Sequence, residues 1–152
     1  MINVMFVCHG NICRSPMAEF VLRDMVTKLG KNNEFFIASA ATSTEEIGNP
    51  VHHGTKSKLA AFGISVKGKY AIQLTKSDYD KYDYIIGMDS ANISGILRIT
   101  GGDPDGKVKK LLDYTEHPRD IADPWYTGDF EATYRDIKYG CEEFLKYLDK
   151  IK

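Results

Sequence analysis

Apolar positions along the chain follow two rhythms that alternate from one end to the other. Short unbroken runs rich in β-branched and aromatic residues occupy positions 2–7, 35–40, 82–87 and 108–112, and read as buried strands. Between them the apolar spacing shifts to three and four. Met17, Phe20, Val21, Met25 and Leu29 share one face of a helix that opens near Ser15 and Pro16 and stops at Gly30. Proline suits that first turn, where its missing N–H is no loss, and glycine suits the stop. Asn49 and Pro50 predict the start of a second helix, running to about Phe62 and ending at Gly63. Asp89 is placed to cap a third helix over Ile93, Ile96 and Leu97. After a long loop at 113–129, a final helix carries Phe130, Tyr134, Ile137, Cys141, Leu145 and Leu148 on one stripe.

Strand–helix alternation with short connections implies right-handed βαβ units and a sheet covered on both faces. The expected fold class is therefore α/β: a single doubly wound domain over residues 1–152, with a four-stranded parallel sheet and helices on both faces. There is no internal repeat, low-complexity segment or linker. In such folds a ligand sits beyond the carboxyl ends of the strands. The loop after the first strand and the loop before the last helix should meet there.

Composition narrows the partners more than the fold. With 43% hydrophobic and 27% charged residues, the chain has the balance of a soluble globular protein. Its formal net charge of -1 supplies no overall positive field, so neither nucleic acid nor an anionic membrane is an expected partner. No stretch approaches the length of a membrane span, and the apolar run at 2–7 is too short for a signal peptide. Three cysteines, an odd number, do not form a secreted disulfide framework, which points to a reducing cytoplasm. An anionic substrate would have to be met by local charge.

The loop after the first strand reads Cys8-His9-Gly10-Asn11-Ile12-Cys13-Arg14-Ser15. A cysteine followed six positions later by arginine says little alone. Leaving a strand and entering a helix, however, the loop can turn its backbone N–H groups onto an anion at the helix N-terminus. Gly10 removes a Cβ where the chain must curl, and Asn11 tolerates unusual backbone angles. Cys8 would lie at the bottom of that ring, near the helix dipole and Arg14, a setting that favours thiolate. The Ser15 hydroxyl could donate to the same sulfur. The Gly-x4-Gly-Lys-Ser/Thr spacing of a nucleotide-binding loop is absent. Read blandly, Cys8 is a buried strand-end thiol and Arg14 a surface charge on a helix.

The second segment, Asp123-Pro124-Trp125-Tyr126, sharpens the chemistry. Hydrolysing an aryl phosphate at neutral pH needs a proton delivered to the departing phenolate, and a positioned carboxylic acid can deliver it. Trp125 and Tyr126 offer flat walls for a phenyl ring. Alone, Asp-Pro is usually a turn, and two aromatics in a polar loop could equally be partial core. Combined with the cysteine loop, the catalytic reading is the stronger one.

These residues resemble the low-molecular-weight protein tyrosine phosphatase family. The resemblance runs from Val7 through Pro16, across Ser39-Ala40-Ala41-Thr42 and Gly87-Met88-Asp89, to Asp123-Pro124-Trp125-Tyr126 and the closing helix. It implies Cys8 as nucleophile, Arg14 as phosphate clamp and Asp123 as general acid, with a phosphocysteine intermediate. It also implies His9, Gly10, Asn11, Ile12, Cys13 and Ser15 as the phosphate-binding loop, and Trp125, Tyr126 and Glu45 as the pocket rim. The implied partner is a phosphotyrosine-containing protein, the product is inorganic phosphate, and no metal or cofactor is required. Cys13 matches a second loop cysteine that can form a reversible disulfide with the nucleophile.

The sequence departs from the family pattern at three places. Relatives often carry a histidine shortly before the stretch matching Ala71-Ile72-Gln73, where it supports the loop asparagine. Here that stretch is Lys67-Gly68-Lys69-Tyr70, so Asn11 needs another partner, for which Ser39 is the candidate. His52 and His53 fall too early and read as exposed helix residues. The loop after Ala41 reads Thr42-Ser43-Thr44-Glu45-Glu46 where some relatives are aromatic, and His9 stands where relatives often have Leu, Val or Thr. Thiol-dependent arsenate reductases are similar but need a further cysteine pair; here the one cysteine outside the loop, Cys141, reads as a packed core thiol. A related protein-arginine phosphatase resembles a version with a small polar residue at the position of Ile12. A phosphate-binding module without turnover would not need nucleophile, clamp and acid together.

Overall fold

The computed structural model describes residues 1–151. Among these, β1 (Ile2–Cys8), β2 (Phe35–Ala41), β3 (Tyr84–Gly87) and β4 (Val108–Lys110) form one sheet in the order β2-β1-β3-β4. Every neighbouring pair is parallel. The first strand of the chain thus lies inside the sheet. It pairs with β2 from Ile2 opposite Phe35 to Cys8 opposite Ala41, and with β3 from Val4 opposite Tyr84 to Val7 opposite Gly87. The chain leaves β1 for β2 on one side and crosses back to β3 on the other. Cys8 therefore stands at the carboxyl end of the strand where the winding reverses, the place where open α/β sheets hold ligands.

The two-residue period of β1 divides the core. Val4, Phe6 and Cys8 face a layer built by α1 (Arg14–Lys28) and α6 (Phe130–Lys150), where Met17, Val21, Leu22, Ile137, Cys141 and Phe144 pack. Met5 and Val7 face the opposite layer, with Leu74, Tyr79 from α3 (Asp78–Lys81) and Ile96 from α4 (Ser90–Thr100). Each fully buried side chain the size of Phe6 or Met17 stabilises by roughly 1.5–3 kcal/mol. The expected four-stranded parallel sheet with helices on both faces is the fold found, and no helix among the described residues is long and apolar enough to cross a membrane.

Element boundaries differ from expectation where the backbone is satisfied some other way. The helix expected from Asn49 begins at His53 as α2 (His53–Ala60). The preceding residues pair like a short strand: Gly48 N–H donates to the Ala71 carbonyl at 2.9 Å, Ala71 N–H donates to the Asn49 carbonyl at 2.9 Å, and Pro50 bridges to Tyr70. The fourth strand stops at Lys110, and Leu111–Tyr114 tighten into a 3-10 helix whose start is held by Lys110 N–H on Asp113 Oδ2 at 2.9 Å. Leu29 and Leu97, expected on buried faces, are exposed. The one-turn helices α3 and α5 (Pro124–Thr127) are too short for apolar periodicity to show.

Gly140 fixes how closely α6 lies on the 3-10 helix. A Cβ there would stand 2.5 Å from Leu111 Cγ and 2.9 Å from Cδ2, in a side chain with no exposed surface. Alanine in place of helical glycine ordinarily stabilises by about 1 kcal/mol, whereas forcing a methyl into a filled core costs about 1–3 kcal/mol. Gly140→Ala is expected to lower stability by up to about 2 kcal/mol, read as a lower urea midpoint at unchanged slope. A midpoint at or above wild type would show that Leu111 has room to turn aside.

Candidate active site

The chain must reverse between Cys8, which ends β1, and Arg14, which begins α1. The curl centres on Asn11, whose φ of 58° is the left-handed value that asparagine adopts more readily than other side chains. Its side chain anchors the turn. Nδ2 donates to Ser15 Oγ at 2.7 Å and to Ser39 Oγ at 2.9 Å, and Oδ1 accepts from Ile72 N–H at 3.1 Å. Ser39 is thus the partner of Asn11 that the sequence suggested; Ser15 and the Ile72 backbone complete the set.

Three donors converge on the sulfur. The N–H groups of Asn11 and Ser15 lie 3.3 and 3.4 Å from Cys8 Sγ, and Ser15 Oγ lies 3.0 Å from it. Because Ser15 Oγ already accepts from Asn11, its own proton is free to point at the sulfur. Cys8 is 3% exposed, so these groups replace water around it, at the amino end of α1 where a helix favours negative charge. The side chains of Asn11 and Ser15 are buried behind the loop, where they hold it and the sulfur.

Arg14 is buried and makes three hydrogen bonds within the protein. Its NH1 donates to Asp89 Oδ2 at 2.7 Å and to the Ile121 carbonyl at 2.9 Å, and NH2 reaches Asp123 Oδ2 at 3.4 Å. Burial pulls the guanidinium pKa down, but the charge at Cys8 and the Asp89 and Asp123 carboxylates outweigh it and hold it above arginine's ordinary value. Sequence reasoning read Asp89 only as a helix cap. It does cap α4, accepting from Asn92 N–H at 2.7 Å through Oδ1, while its other oxygen orients Arg14. Its position at the carboxyl end of a strand, in Gly87-Met88-Asp89, was the signal for that second task.

Asp123 caps α5, accepting Trp125 N–H on Oδ1 at 3.0 Å, with Pro124 in the first turn. Asp123 therefore both caps this turn and lines the cleft. Cys8, His9, Gly10, Ile12, Cys13 and Arg14 line that cleft from the loop side, and Glu45, Glu46, Asp123, Trp125 and Tyr126 from the other. Trp125 and Tyr126 are 55% and 83% exposed, which removes the partial-core alternative. Burial, reinforced by the nearby Cys8 and Asp123, pushes the Cys13 thiol pKa up to about 12, so it stays protonated near neutrality. Cys141 is a packed core thiol, as expected, with its pKa also raised by burial.

At the rim, His9 Nε2 and Glu45 Oε2 are 2.6 Å apart, and Ser43 binds the His9 carbonyl through N–H at 3.1 Å and Oγ at 2.8 Å. His53 is exposed, as expected, but His52 is a half-buried cap. Its Nδ1 accepts from Gly54 N–H at 3.0 Å, and its ring stacks on Phe130 and meets Trp125 edge-on at 5.6 Å. Burial, then the neighbouring His53, lower its pKa. His52 thus buttresses one wall of the cleft, a role that helical spacing could not reveal.

The family described as low molecular weight phosphotyrosine protein phosphatase matches residues 3–152. The chain is 45% identical to the low molecular weight protein-tyrosine-phosphatase YfkJ of Bacillus subtilis over 154 aligned positions, covering 100% of this chain and 99% of the relative. The crystal structure of YfkJ superposes with a TM-score of 0.95 over 100% of this chain and 97% of that one. A low molecular weight protein tyrosine phosphatase from Streptococcus pyogenes, 42% identical, superposes with a TM-score of 0.87 over 97% of this chain and 93% of its own. A low molecular weight phosphotyrosine protein phosphatase of Gallus gallus is 40% identical over 149 residues, covering 95% of this chain and 94% of the relative. With strand order, phosphate-type loop and sequence all in agreement across its length, this chain belongs to the low molecular weight phosphotyrosine protein phosphatase family, a family of hydrolases.

Proposed function

We propose that the protein hydrolyses phosphotyrosine in proteins, and small aryl phosphates, through a phosphocysteine intermediate. The observation that carries this reading is the convergence of three donors on Cys8 Sγ in a cleft that also holds the Arg14 guanidinium and the Asp123 carboxylate. In the first step the Cys8 thiolate attacks phosphorus, the S–P bond forms and the P–O bond to the tyrosine ring breaks. The leaving oxygen takes its proton from Asp123. In the second step water attacks phosphorus and gives a proton to the Asp123 carboxylate, and the S–P bond breaks to return thiolate and release inorganic phosphate. Arg14 and the backbone N–H groups of residues 9–14 hold the equatorial oxygens, whose charge must be met as the bonds exchange.

Specificity in this reading comes from the walls. Ile12, Trp125 and Tyr126 give a flanked slot in which a phenyl ring lets its phosphate reach Cys8, while a phosphoserine side chain falls short. Glu45 and Glu46 place negative charge at the mouth and favour basic residues beside the phosphotyrosine, an advantage that salt screens. A thiolate nucleophile calls for a reducing compartment, and we place the enzyme in the cytoplasm.

Single-turnover assays on matched phosphotyrosine, phosphoarginine and phosphoserine peptides are expected to rank phosphotyrosine first by at least about tenfold, a difference of about 1.4 kcal/mol in barrier. Faster release from phosphoarginine would transfer the assignment to an arginine phosphatase. The acid is tested separately. Its task is to protonate an oxygen whose conjugate acid has a pKa near 10, so Asp123→Asn should slow phosphotyrosine by about 10²–10⁴. An activated aryl phosphate that departs readily as its anion should lose far less. Asp120→Asn is the control, since Asp120 is committed to Ser90 and Lys110 outside the cleft. Equal losses on good and poor leaving groups would reduce Asp123 to a loop cap.

A further inference from the structure

The two walls of the proposed aryl slot come from distant parts of the chain, Ile12 near its start and Trp125 near its end, and one residue reaches both. His52, just ahead of α2, donates its backbone N–H to the Ile12 carbonyl at 2.8 Å. Three residues on, Thr55 Oγ1 donates to the Cys13 carbonyl at 3.1 Å. The start of α2 therefore holds two carbonyls of the phosphate loop.

The His52 ring carries the link to the other wall. It stacks on Phe130 at 5.3 Å and 14°, and Phe130 packs against Ile12, Cys13 and Ala71. Its edge-on contact with Trp125, at 5.6 Å and 77°, is the aromatic contact that Trp125 makes among the described residues. Gly54 leaves room for this arrangement, since a Cβ there would lie 2.3 Å from Phe130 Cζ and displace that ring. Trp125 is 55% exposed and sits on a one-turn helix, so burial does little to fix its orientation.

We propose that His52 is the positioning residue that sets the aryl slot, holding Trp125 and Ile12 in fixed relation through its ring and its backbone N–H. The inference rests on the reading of Ile12 and Trp125 as walls for a phenyl ring. The hold belongs to the neutral imidazole. Nδ1 accepts from Gly54 N–H at 3.0 Å, so the ring proton sits on Nε2. A second proton would set two donors face to face and place a cation at the amino end of α2, against the helix dipole. The charged or titratable groups around the ring are His53, stacked on it at 4.3 Å, and Glu46 on the rim; α5 and α6 present to it the uncharged rings of Trp125 and Phe130. Burial and then His53 lower the His52 pKa, with Glu46 opposing them. The hold is therefore complete above histidine's ordinary value of 6.5 and is lost as pH falls through the lowered one.

Two ligands separate the slot from the loop beneath it. Inorganic phosphate reads the loop and Arg14, whereas benzylphosphonate also needs the walls. His52→Asn keeps an oxygen to cap α2 and loses the ring. At neutral pH, calorimetry is expected to show benzylphosphonate weakened by about three- to tenfold in His52→Asn, the scale of one aromatic contact, with inorganic phosphate within about twofold of wild type. His52→Phe, which loses the cap and keeps a ring, should restore most of the benzylphosphonate affinity. The reverse order, with the Asn variant like wild type and the Phe variant weakened, would leave His52 a helix cap and overturn the proposal. Equal weakening of both ligands in the Asn variant would overturn it too, as the mark of a distorted loop. Trp125 is the single tryptophan of the chain, so its fluorescence reads the contact without any ligand. Wild-type emission should show a step at a pH below 6.5, absent from both His52 variants and moved to higher pH in His53→Gln. A step that persists in both His52 variants, or that His53→Gln leaves in place, overturns the proposal. If the His52 variants do not fold, His53→Gln decides by that shift. Wild-type protein that binds benzylphosphonate and shows the step, yet fails to turn over an aryl phosphate, would remove the hydrolytic reading and leave the positioning role standing.

Discussion

A buried sulfur that is to carry charge has to be solvated by protein, and in the proposed reaction that requirement falls on Cys8. An unpaired buried charge is costly enough that the group would take up a proton instead. Here the sulfur meets two backbone N–H groups, one hydroxyl and the amino end of a helix. Backbone donors can converge in this way only if the chain curls tightly, and the curl needs the left-handed backbone at Asn11. A non-glycine residue in that conformation is retained because its surroundings over-determine it. The Asn11 amide bonds Ser15, Ser39 and Ile72 at once, tying the loop to the helix it enters, to the neighbouring strand and to the segment beyond α2.

Sheet topology supplies the rest of the geometry. Because β1 is interior, the loop at its end is flanked on both sides by other strand ends, and each side delivers a different function. The β2 side brings Ser39 and the Glu45–Glu46 rim; the β3 side brings Asp89, which holds Arg14 from behind. The loop leading to α6 lies across the opening with Asp123 and its two exposed aromatics. Arg14 couples these parts, since a single buried guanidinium touches Asp89, the Ile121 carbonyl and Asp123. The loop bearing Asp123, the proposed acid, is therefore oriented by the same cation that is proposed to clamp phosphate.

Much of this was legible in the chain. Two-residue and three-to-four-residue periods mark the strands and long helices because each must bury a continuous face, and the pairing of Cys8 with Arg14 across a strand-to-helix turn has few other uses. What stayed hidden has a common physical origin. Asp89 serves two partners with two oxygens, and local pattern reveals only the helix cap. His52 is defined by the rings it meets, Phe130 and Trp125, which lie far along the chain. The late start of α2 follows from hydrogen bonds between residues 48–50 and 70–71, a long-range pairing that no helix signal encodes. The Ser15 hydroxyl beside the sulfur and Ser39 as partner of Asn11 were legible, whereas the Ile72 N–H on Asn11 comes from a distant segment that no local pattern indicates.

The central claim is that Cys8 carries phosphate during turnover, and acid-quench trapping tests it most directly. Wild-type protein mixed with a radiolabelled phosphotyrosine peptide and quenched within the first turnovers should carry label on Cys8. The label should be absent from Cys8→Ser protein, which still holds Arg14 and the loop donors but offers an alcohol that keeps its proton. Turnover in Cys8→Ser within about tenfold of wild type, or label on any residue other than Cys8, would contradict the account.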